Sequence, residues 1–222
     1  MCAIMYTEIK KGVIYMKRPI RGYLSMTTLI EVIGIPFKFC NKTIDDFETP
    51  TEDLKQVKEW TLNYINNIDN NFKRNKGIYF NGTNGVGKTF LSALILKKAY
   101  EHRYSCKRIT FYSYVQQVLN VWNSRGEERE TKEEQLFTNI KGVEFLVLEE
   151  LGKEIESKLD TFAILEDLLR YREDRGLPTI FATNLDIETL RQEYGESVYS
   201  LINGNCTIIT IISKDGREKY RR

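Results

Sequence analysis

The residues best suited to chemistry form one run, Gly82-Thr83-Asn84-Gly85-Val86-Gly87-Lys88-Thr89. The run fits the pattern G-x-x-x-x-G-K-[ST] and follows a short apolar stretch, Ile78 to Phe80, that is typical of a strand. Its glycines let backbone amides turn towards phosphate, and a helix beginning at its end would add a positive dipole. Lys88 would reach the β and γ oxygens of ATP, and the Thr89 hydroxyl would coordinate Mg²⁺. The run therefore predicts a P-loop that binds ATP with magnesium.

An acidic pair, Glu149 and Glu150, ends a second apolar stretch that runs from Phe145 to Leu148. A P-loop enzyme needs an acid at the end of a neighbouring buried strand. Glu149 would hold the magnesium through water, and Glu150 would polarise the attacking water as general base. Two acids after an apolar strand are also common as simple surface caps, but their occurrence together with the P-loop favours the catalytic interpretation.

Asn184 follows a third apolar stretch, Thr179 to Ala182, and Thr183. A side-chain amide at the end of a strand could contact the γ-phosphate or the lytic water, so Asn184 is the predicted sensor of the bound nucleotide. An asparagine that merely forms a turn is the alternative, and it would be favoured if the other two motifs were missing.

Strand-length apolar stretches and helical segments alternate from Gly77 onward, which predicts an α/β fold with a mostly parallel five-stranded sheet flanked by helices. The predicted strands are Ile78 to Phe80, Ile109 to Tyr112, Val143 to Leu148, Thr179 to Ala182 and Thr207 to Ile212. The predicted helices are 88 to 100, 115 to 122, 158 to 172 and 187 to 194. The stretch between Ser124 and Gln135 is so rich in charge that we expect a solvated loop.

Thr49-Pro50-Thr51-Glu52 predicts the start of a further helix, because it combines an N-cap candidate, a proline at the first helical position and a glutamate at N3. We therefore divide the chain into an N-terminal arm, residues 1 to 48, and an ATPase domain, residues 49 to 222. Binding of a partner is one role open to the short arm.

Composition argues against a highly basic protein, a C-x-x-C metal protein and a membrane-spanning protein. Hydrophobic residues make up 41% and charged residues 29% of 222 residues, which is ordinary for a globular chain. The net charge is only +2, although residues 1 to 22 and 214 to 222 are both basic, so nucleic acid would have to bind a local surface. The 4 cysteines include no C-x-x-C pair, and nothing approaches the roughly 18 apolar residues of a membrane span. We expect a cytoplasmic protein without a membrane partner.

The order of the three motifs resembles the AAA+ ATPases and, within them, the DnaC and DnaI helicase loaders. Similar stretches flank the motifs: Ile35 to Phe39, Thr43 to Phe47, Leu151 to Lys153, Leu177 to Thr179 and Tyr194 to Glu196. The resemblance covers roughly residues 35 to 212 and extends to the IstB transposition helpers. It implies an AAA+ core and an ATP-dependent loader whose partners are a replicative DNA helicase and single-stranded DNA. It also leaves self-association open.

Two departures from the family pattern predict slow hydrolysis. The family usually has aspartate first in its acidic pair, whereas this chain has Glu149, whose extra methylene would alter how magnesium is held. The arginine that acts on a neighbour's ATP in the family is replaced by Leu201. Arg217 is a candidate for a sensor arginine acting within the same chain.

Binding of single-stranded DNA would need cations and stacking aromatics. Lys107 and Arg108, followed by Phe111, Tyr112 and Tyr114, are candidates, although alternate aromatics on a strand also indicate core. Two other functions stay open: an IstB-like transposition helper that binds duplex DNA, and a nucleotide-binding adaptor that scarcely hydrolyses ATP.

Overall fold

The computed structural model describes residues 7–10, 13–16, 25–153 and 158–212. The basic segment 214–222 with Arg217, and most of the basic segment 1–22, lie outside the described residues. A short hairpin comes first, in which β1 (Thr7–Lys10) pairs antiparallel with β2 (Val13–Met16).

The main sheet contains β3 (Gly77–Gly82), β4 (Cys106–Thr110), β5 (Phe145–Glu149), β6 (Thr179–Thr183) and β7 (Cys206–Ile211). Its five strands are all parallel and lie in the order β4-β5-β6-β3-β7. The predicted five-stranded α/β fold is therefore confirmed. Strands β5 and β6 are buried along their whole length, as expected for inner strands covered on both faces.

The helices are α1 (Glu52–Asn66), α2 (Ile68–Lys73), α3 (Lys88–Glu101), α4 (Phe111–Trp122), α5 (Gly126–Leu136), α6 (Lys158–Asp174) and α7 (Ile187–Asn205). Two apolar clusters occupy the two faces of the sheet, since Ile78 and Phe80 enter one and Tyr79 enters the other. The first cluster includes residues of α1 and α3, and the second includes residues of α4, α6 and α7. Among the helices that the structure describes, none is long and apolar enough to cross a membrane.

Residues 25–47 precede α1 and contribute to the first apolar cluster. They contain the N-terminal helix, Thr28–Ile33, and two single helical turns, Phe37–Phe39 and Ile44–Asp46. Leu29 and Ile33 are 2% and 0% exposed and belong to the same cluster as α1 and α3. The division of the chain at residue 48 stays a prediction.

Three expectations about local structure were wrong. Residues 124 to 135 are largely helical, because glutamate, lysine and arginine are good helix formers and ion pairs such as Arg129 to Glu133, at 2.8 Å, support the exposed face of α5. The strand expected at Ile109 to Tyr112 ends at Thr110, whose hydroxyl accepts from the Ser113 amide and caps α4. Helix α7 continues past Tyr194 across a kink at Gly195.

Arg172 is buried at the amino ends of β5 and β6, and 1% of its surface is exposed. Its guanidinium donates to the Thr179 hydroxyl and to the backbone carbonyls of Val143 and Pro178, each at 2.8 Å, and of Lys141 and Glu144, at 3.1 and 3.3 Å. Burial lowers the pKa of Arg172 to about 9, which still leaves the group charged at neutral pH. One side chain thus joins the starts of two neighbouring strands.

Arg172→Lys should lower the free energy of unfolding by about 3 kcal/mol, because an ammonium offers fewer donors than a guanidinium and leaves buried acceptors unsatisfied. Urea unfolding followed by circular dichroism measures the effect. Arg170→Lys is the matched control on the same helix, since Arg170 is 58% exposed and pairs with Glu166 at the surface. Equal effects from the two substitutions would contradict the role given to Arg172.

Candidate functional site

The predicted P-loop joins β3 to α3 and adopts the backbone that its glycines allow. Gly87 has a φ of 100° and stands at the N-cap of α3. A Cβ atom at Gly87 would lie 2.6 Å from the ring of Phe47. The Phe47 ring stacks in turn on Phe90 of α3, with ring centroids 6.1 Å apart. Only glycine fits this position, because a side chain would meet both an unfavourable backbone angle and a packed ring.

Lys88 and Asn184, which the sequence assigned to separate motifs, are in direct contact. The Lys88 ammonium donates to Asn184 Oδ1 at 2.9 Å and to the carbonyls of Gly82 and Thr83, each at 2.7 Å. The Asn184 amide donates to Asn84 Oδ1 at 3.0 Å. The contact arises because β3 and β6 are parallel neighbours, so their carboxyl ends meet at one edge of the sheet. The structure therefore brings the P-loop and the predicted sensor together.

Glu149 is the last residue of β5 and is 3% exposed. Its Oε2 accepts from the guanidinium of Arg108 on β4, whereas its Oε1 is buried without a hydrogen-bond partner among the described residues. Strand β6 lies between β5 and β3, so the carboxylate stands about 10 Å across the sheet from the strand that leads into the P-loop. An orphaned carboxylate oxygen at this edge is suited to accept from the water shell of a hard cation.

Glu150 directly follows β5 and has a φ of 62°, which is uncommon for any residue other than glycine. Its amide donates to the carbonyl of Ala182 on β6 at 3.0 Å. Its carboxylate, with 48% of the side chain exposed, pairs with the Lys153 ammonium at 3.2 Å. Strained backbone of this kind is concentrated at functional sites, and here it turns the chain away from the sheet directly after Glu149.

Magnesium fits the available oxygen donors. In the part of the chain that the structure describes, no group of three or more His, Cys, Asp or Glu side chains could hold a metal alone. Mg²⁺ in nucleotide sites commonly takes one or two protein oxygens and completes its shell with water and phosphate. The orphaned Glu149 Oε1 suits contact through such a water, and the Thr89 hydroxyl at the start of α3 would be the direct protein ligand.

The aromatic candidates for DNA stacking are mostly core residues. Phe111 and Tyr114 are 0% and 1% exposed, whereas Tyr112 is 39% exposed. The cationic candidates are engaged as well, since Lys107 donates to the Val32 carbonyl at 2.7 Å and Arg108 contacts Glu149. Burial lowers the pKa of Lys107. Apart from the exposed Tyr112, these residues on β4 and α4 therefore hold the fold together instead of forming an open surface for bases.

Leu201 is 9% exposed and belongs to the second apolar cluster. The family resemblance predicted an arginine at this position that acts on a neighbour's ATP, but the position belongs to the core.

The sequence reasoning missed the contact of Arg108 with Glu149. Its signal was the strand pairing, because Thr110 is opposite Glu149 and Arg108 lies two residues away on the same face of β4.

The structure has a parallel sheet with a P-loop after one inner strand, an acid at the end of a second strand and an amide after a third. This arrangement is typical of P-loop nucleotide-binding folds. Solved structures share this fold. A crystal structure of the DnaC helicase loader matches with a TM-score of 0.66 and 21% identity, over 79% of this chain and 99% of that one. The replication initiator DnaA, solved with AMPPCP and single-stranded DNA, matches with a TM-score of 0.64 and 17% identity, over 81% of this chain and 51% of that one.

Two proteins with similar sequences are replicative helicase loaders. The replicative helicase loader DnaI of Bacillus subtilis is 28% identical over 54% of this chain and 37% of its own length. The loader DnaC of Escherichia coli K12 is 25% identical over 71% of this chain and 61% of its own length. The matched part is thus less than two thirds of either relative. No profile of a known protein family matches the chain. In sequence and in fold, the chain is thus similar to the DnaC and DnaI helicase loaders.

Proposed function

We propose that this chain is the ATPase of a replicative helicase loader, and that it binds ATP with Mg²⁺ and hydrolyses ATP slowly. The contact between Lys88 and Asn184 carries the proposal. In this structure the Lys88 ammonium is satisfied by two P-loop carbonyls and the Asn184 amide oxygen. A γ-phosphate would offer it stronger, anionic acceptors at the same point. Nucleotide binding would therefore change the contacts of Asn184 as well as those of Lys88.

The other site residues have complementary roles in this proposal. Thr89 and Glu149 would hold Mg²⁺, which neutralises charge on the phosphates when it is bound. Glu150 would accept a proton from the attacking water, and Asn184 would orient that water or the γ-phosphate. The left-handed backbone at Glu150 supports a role for its side chain that differs from that of buried Glu149.

Slow hydrolysis is proposed from two observations. Glu149 is already paired with Arg108, so its negative charge is partly neutralised before any metal binds. Leu201 is buried in the core, so α7 cannot supply an arginine from this position to a neighbouring site. An arginine finger can raise kcat by about 10³ to 10⁵, and a partner protein or another residue of a neighbouring copy would have to provide it.

A replicative helicase is the proposed protein partner, because the relatives DnaI and DnaC are replicative helicase loaders. Residues 1 to 48 are the proposed segment for recognising it. Single-stranded DNA is the proposed nucleic acid, and support comes from the structural neighbour DnaA, which was solved with single-stranded DNA. Of the aromatic residues first considered for stacking, Tyr112 is exposed enough to take part.

The chain should bind single-stranded DNA more tightly than duplex, and its affinity should fall as salt rises and should depend on ATP. Fluorescence anisotropy with labelled single and double strands, with and without ATP and Mg²⁺, measures each dependence. Preference for duplex would favour a transposition helper instead. Failure to bind DNA at moderate salt, with or without the helicase, would favour the adaptor.

The adaptor is a second candidate because the pairing of Glu149 with Arg108 and the burial of Leu201 would both limit turnover. Such a protein would bind ATP and act through protein contacts alone. Single-turnover hydrolysis of labelled ATP in the presence of helicase and single-stranded DNA separates the two candidates. Cleavage would support the loader ATPase, and tight binding without cleavage would support the adaptor.

A further inference from the structure

Arg108 contacts two parts of the molecule that are distant in sequence. One guanidinium nitrogen, Nη2, donates to Oε2 of Glu149 at the candidate magnesium site. The other, Nη1, donates to the backbone carbonyl of Gly34 at 3.0 Å. The Arg108 side chain is 19% exposed and that of Glu149 is 4% exposed, so water screens their interaction only weakly. A single side chain thus bridges the acid of the site and the end of the N-terminal helix.

The N-terminal helix is docked on β4 through the carbonyls at its carboxyl end. Gly34 ends the helix with a φ of 89°, and a Cβ atom there would lie 2.7 Å from the Arg108 carbonyl oxygen. Lys107 donates to the Val32 carbonyl at 2.7 Å, beside the contact of Arg108 with Gly34. Cations are favourable at a helix C-terminus, where unpaired carbonyls carry partial negative charge. Two adjacent cations of an edge strand therefore hold this helix end.

The pair between Arg108 and Glu149 is incompletely satisfied. Glu149 Oε1 and Arg108 Nε are both buried without a hydrogen-bond partner among the described residues. A buried ion pair with unused donors and acceptors gains little from its burial, and it can exchange partners when a further charge arrives. A divalent cation near Glu149 would repel the guanidinium and compete for the same carboxylate charge.

We propose that Arg108 is a positioning residue that couples magnesium binding at Glu149 to docking of the N-terminal helix. Cation binding weakens the hold of Arg108 on Gly34, and a docked helix lowers the affinity of the site for the cation. The coupling is reciprocal, as any linkage between two binding equilibria must be. The proposal rests on the proposed binding of ATP with Mg²⁺. It adds that nucleotide occupancy changes the chain segment proposed to recognise the helicase.

Hydrogen exchange of the amides from residue 28 to 35 measures docking of the helix. Calorimetry with the ATP-loaded protein measures the affinity of the site for Mg²⁺. In the wild type, Mg²⁺ added to the ATP-bound protein should speed exchange in this segment about 5-fold or more. In Arg108→Gln, exchange should be fast with or without Mg²⁺, and the affinity for Mg²⁺ should rise about 5-fold.

Lys107→Gln is the matched control, because Lys107 holds the same helix end and has no contact with Glu149 among the described residues. Exchange in Lys107→Gln should be faster in every state while the response to Mg²⁺ remains. If Arg108→Gln does not fold, Arg108→Lys keeps the charge but cannot reach both partners with a fork of two nitrogens, and its response to Mg²⁺ should be reduced. Circular dichroism reports folding of each variant.

Equal exchange in the wild type with ATP and with ATP plus Mg²⁺, while calorimetry records Mg²⁺ binding, would overturn the coupling and leave the proposed ATP site intact. Loss of the Mg²⁺ response in Lys107→Gln to the same extent as in Arg108→Gln would also overturn it, because the effect would then belong to helix docking in general. If neither ATP nor Mg²⁺ binds the wild type, the proposed function and the coupling both fail.

Discussion

Lys88→Ala should weaken the binding of ATP with Mg²⁺ by about 100-fold and leave the fold intact, because it removes a cation whose hydrogen bonds to phosphate are charge-assisted. The acceptors that it leaves in this chain are two loop carbonyls and the exposed amide of Asn184, which water can reach. Isothermal titration calorimetry measures the affinity, and thermal unfolding followed by circular dichroism measures the fold.

Lys98→Ala is the control for this substitution. Lys98 lies on the same helix, is partly exposed and pairs with Glu101 at 3.3 Å, at the end of α3 opposite to the P-loop. Its removal should leave the affinity for ATP unchanged. An unaltered affinity in folded Lys88→Ala would show that the run from Gly82 to Thr89 does not bind phosphate in this protein.

Glu150→Gln should retain ATP binding and lower the rate of hydrolysis by about 100-fold or more, because an amide keeps the shape of the carboxylate and cannot act as a base. The backbone is expected to tolerate the change, since the amide of residue 150 still donates to the Ala182 carbonyl. Release of phosphate from ATP under single-turnover conditions measures the chemical step, and calorimetry measures binding separately.

Glu101→Gln offers a closely matched control. Glu101 is 47% exposed and pairs with a lysine three residues away at 3.3 Å, much as Glu150 is 48% exposed and pairs with Lys153 at 3.2 Å. The same change of charge at Glu101 should leave both binding and hydrolysis at wild-type values. A Glu150→Gln variant that cleaves ATP as fast as the wild type would place the general base elsewhere.

The strands and the P-loop could be predicted because each is specified locally. Buried parallel strands are continuous apolar stretches, and the glycines between β3 and α3 are required by the loop itself. The high charge of residues 124 to 135 favours a loop, but the same residue types also favour an exposed helix, and the structure has helix α5 there. The end of β4 was misplaced because aromatic residues favour strands, whereas capping by Thr110 starts a helix there.

The positions of the candidate site residues could be read from the sequence one by one, but the contacts between them could not. Lys88, Glu149 and Asn184 each stand after an apolar strand, which the sequence shows. The contacts of Asn184 with Lys88 and of Arg108 with Glu149 depend on which strands are neighbours and in which register. Strand order depends on the packing of the whole chain, so the spacing of motifs along the sequence does not reveal it.

Arg172 also bears on how accurately the site is built. Strands β5 and β6 carry Glu149 and Asn184 at their carboxyl ends, and both strands begin at carbonyls held by the Arg172 guanidinium. Each strand is five residues long, so the anchor lies about 16 Å from the groups that would contact nucleotide. Because Arg172 fixes the start of both strands, a shift of either strand along its axis would displace Glu149 relative to Asn184. Accuracy at the nucleotide end is therefore set at the opposite end of the sheet.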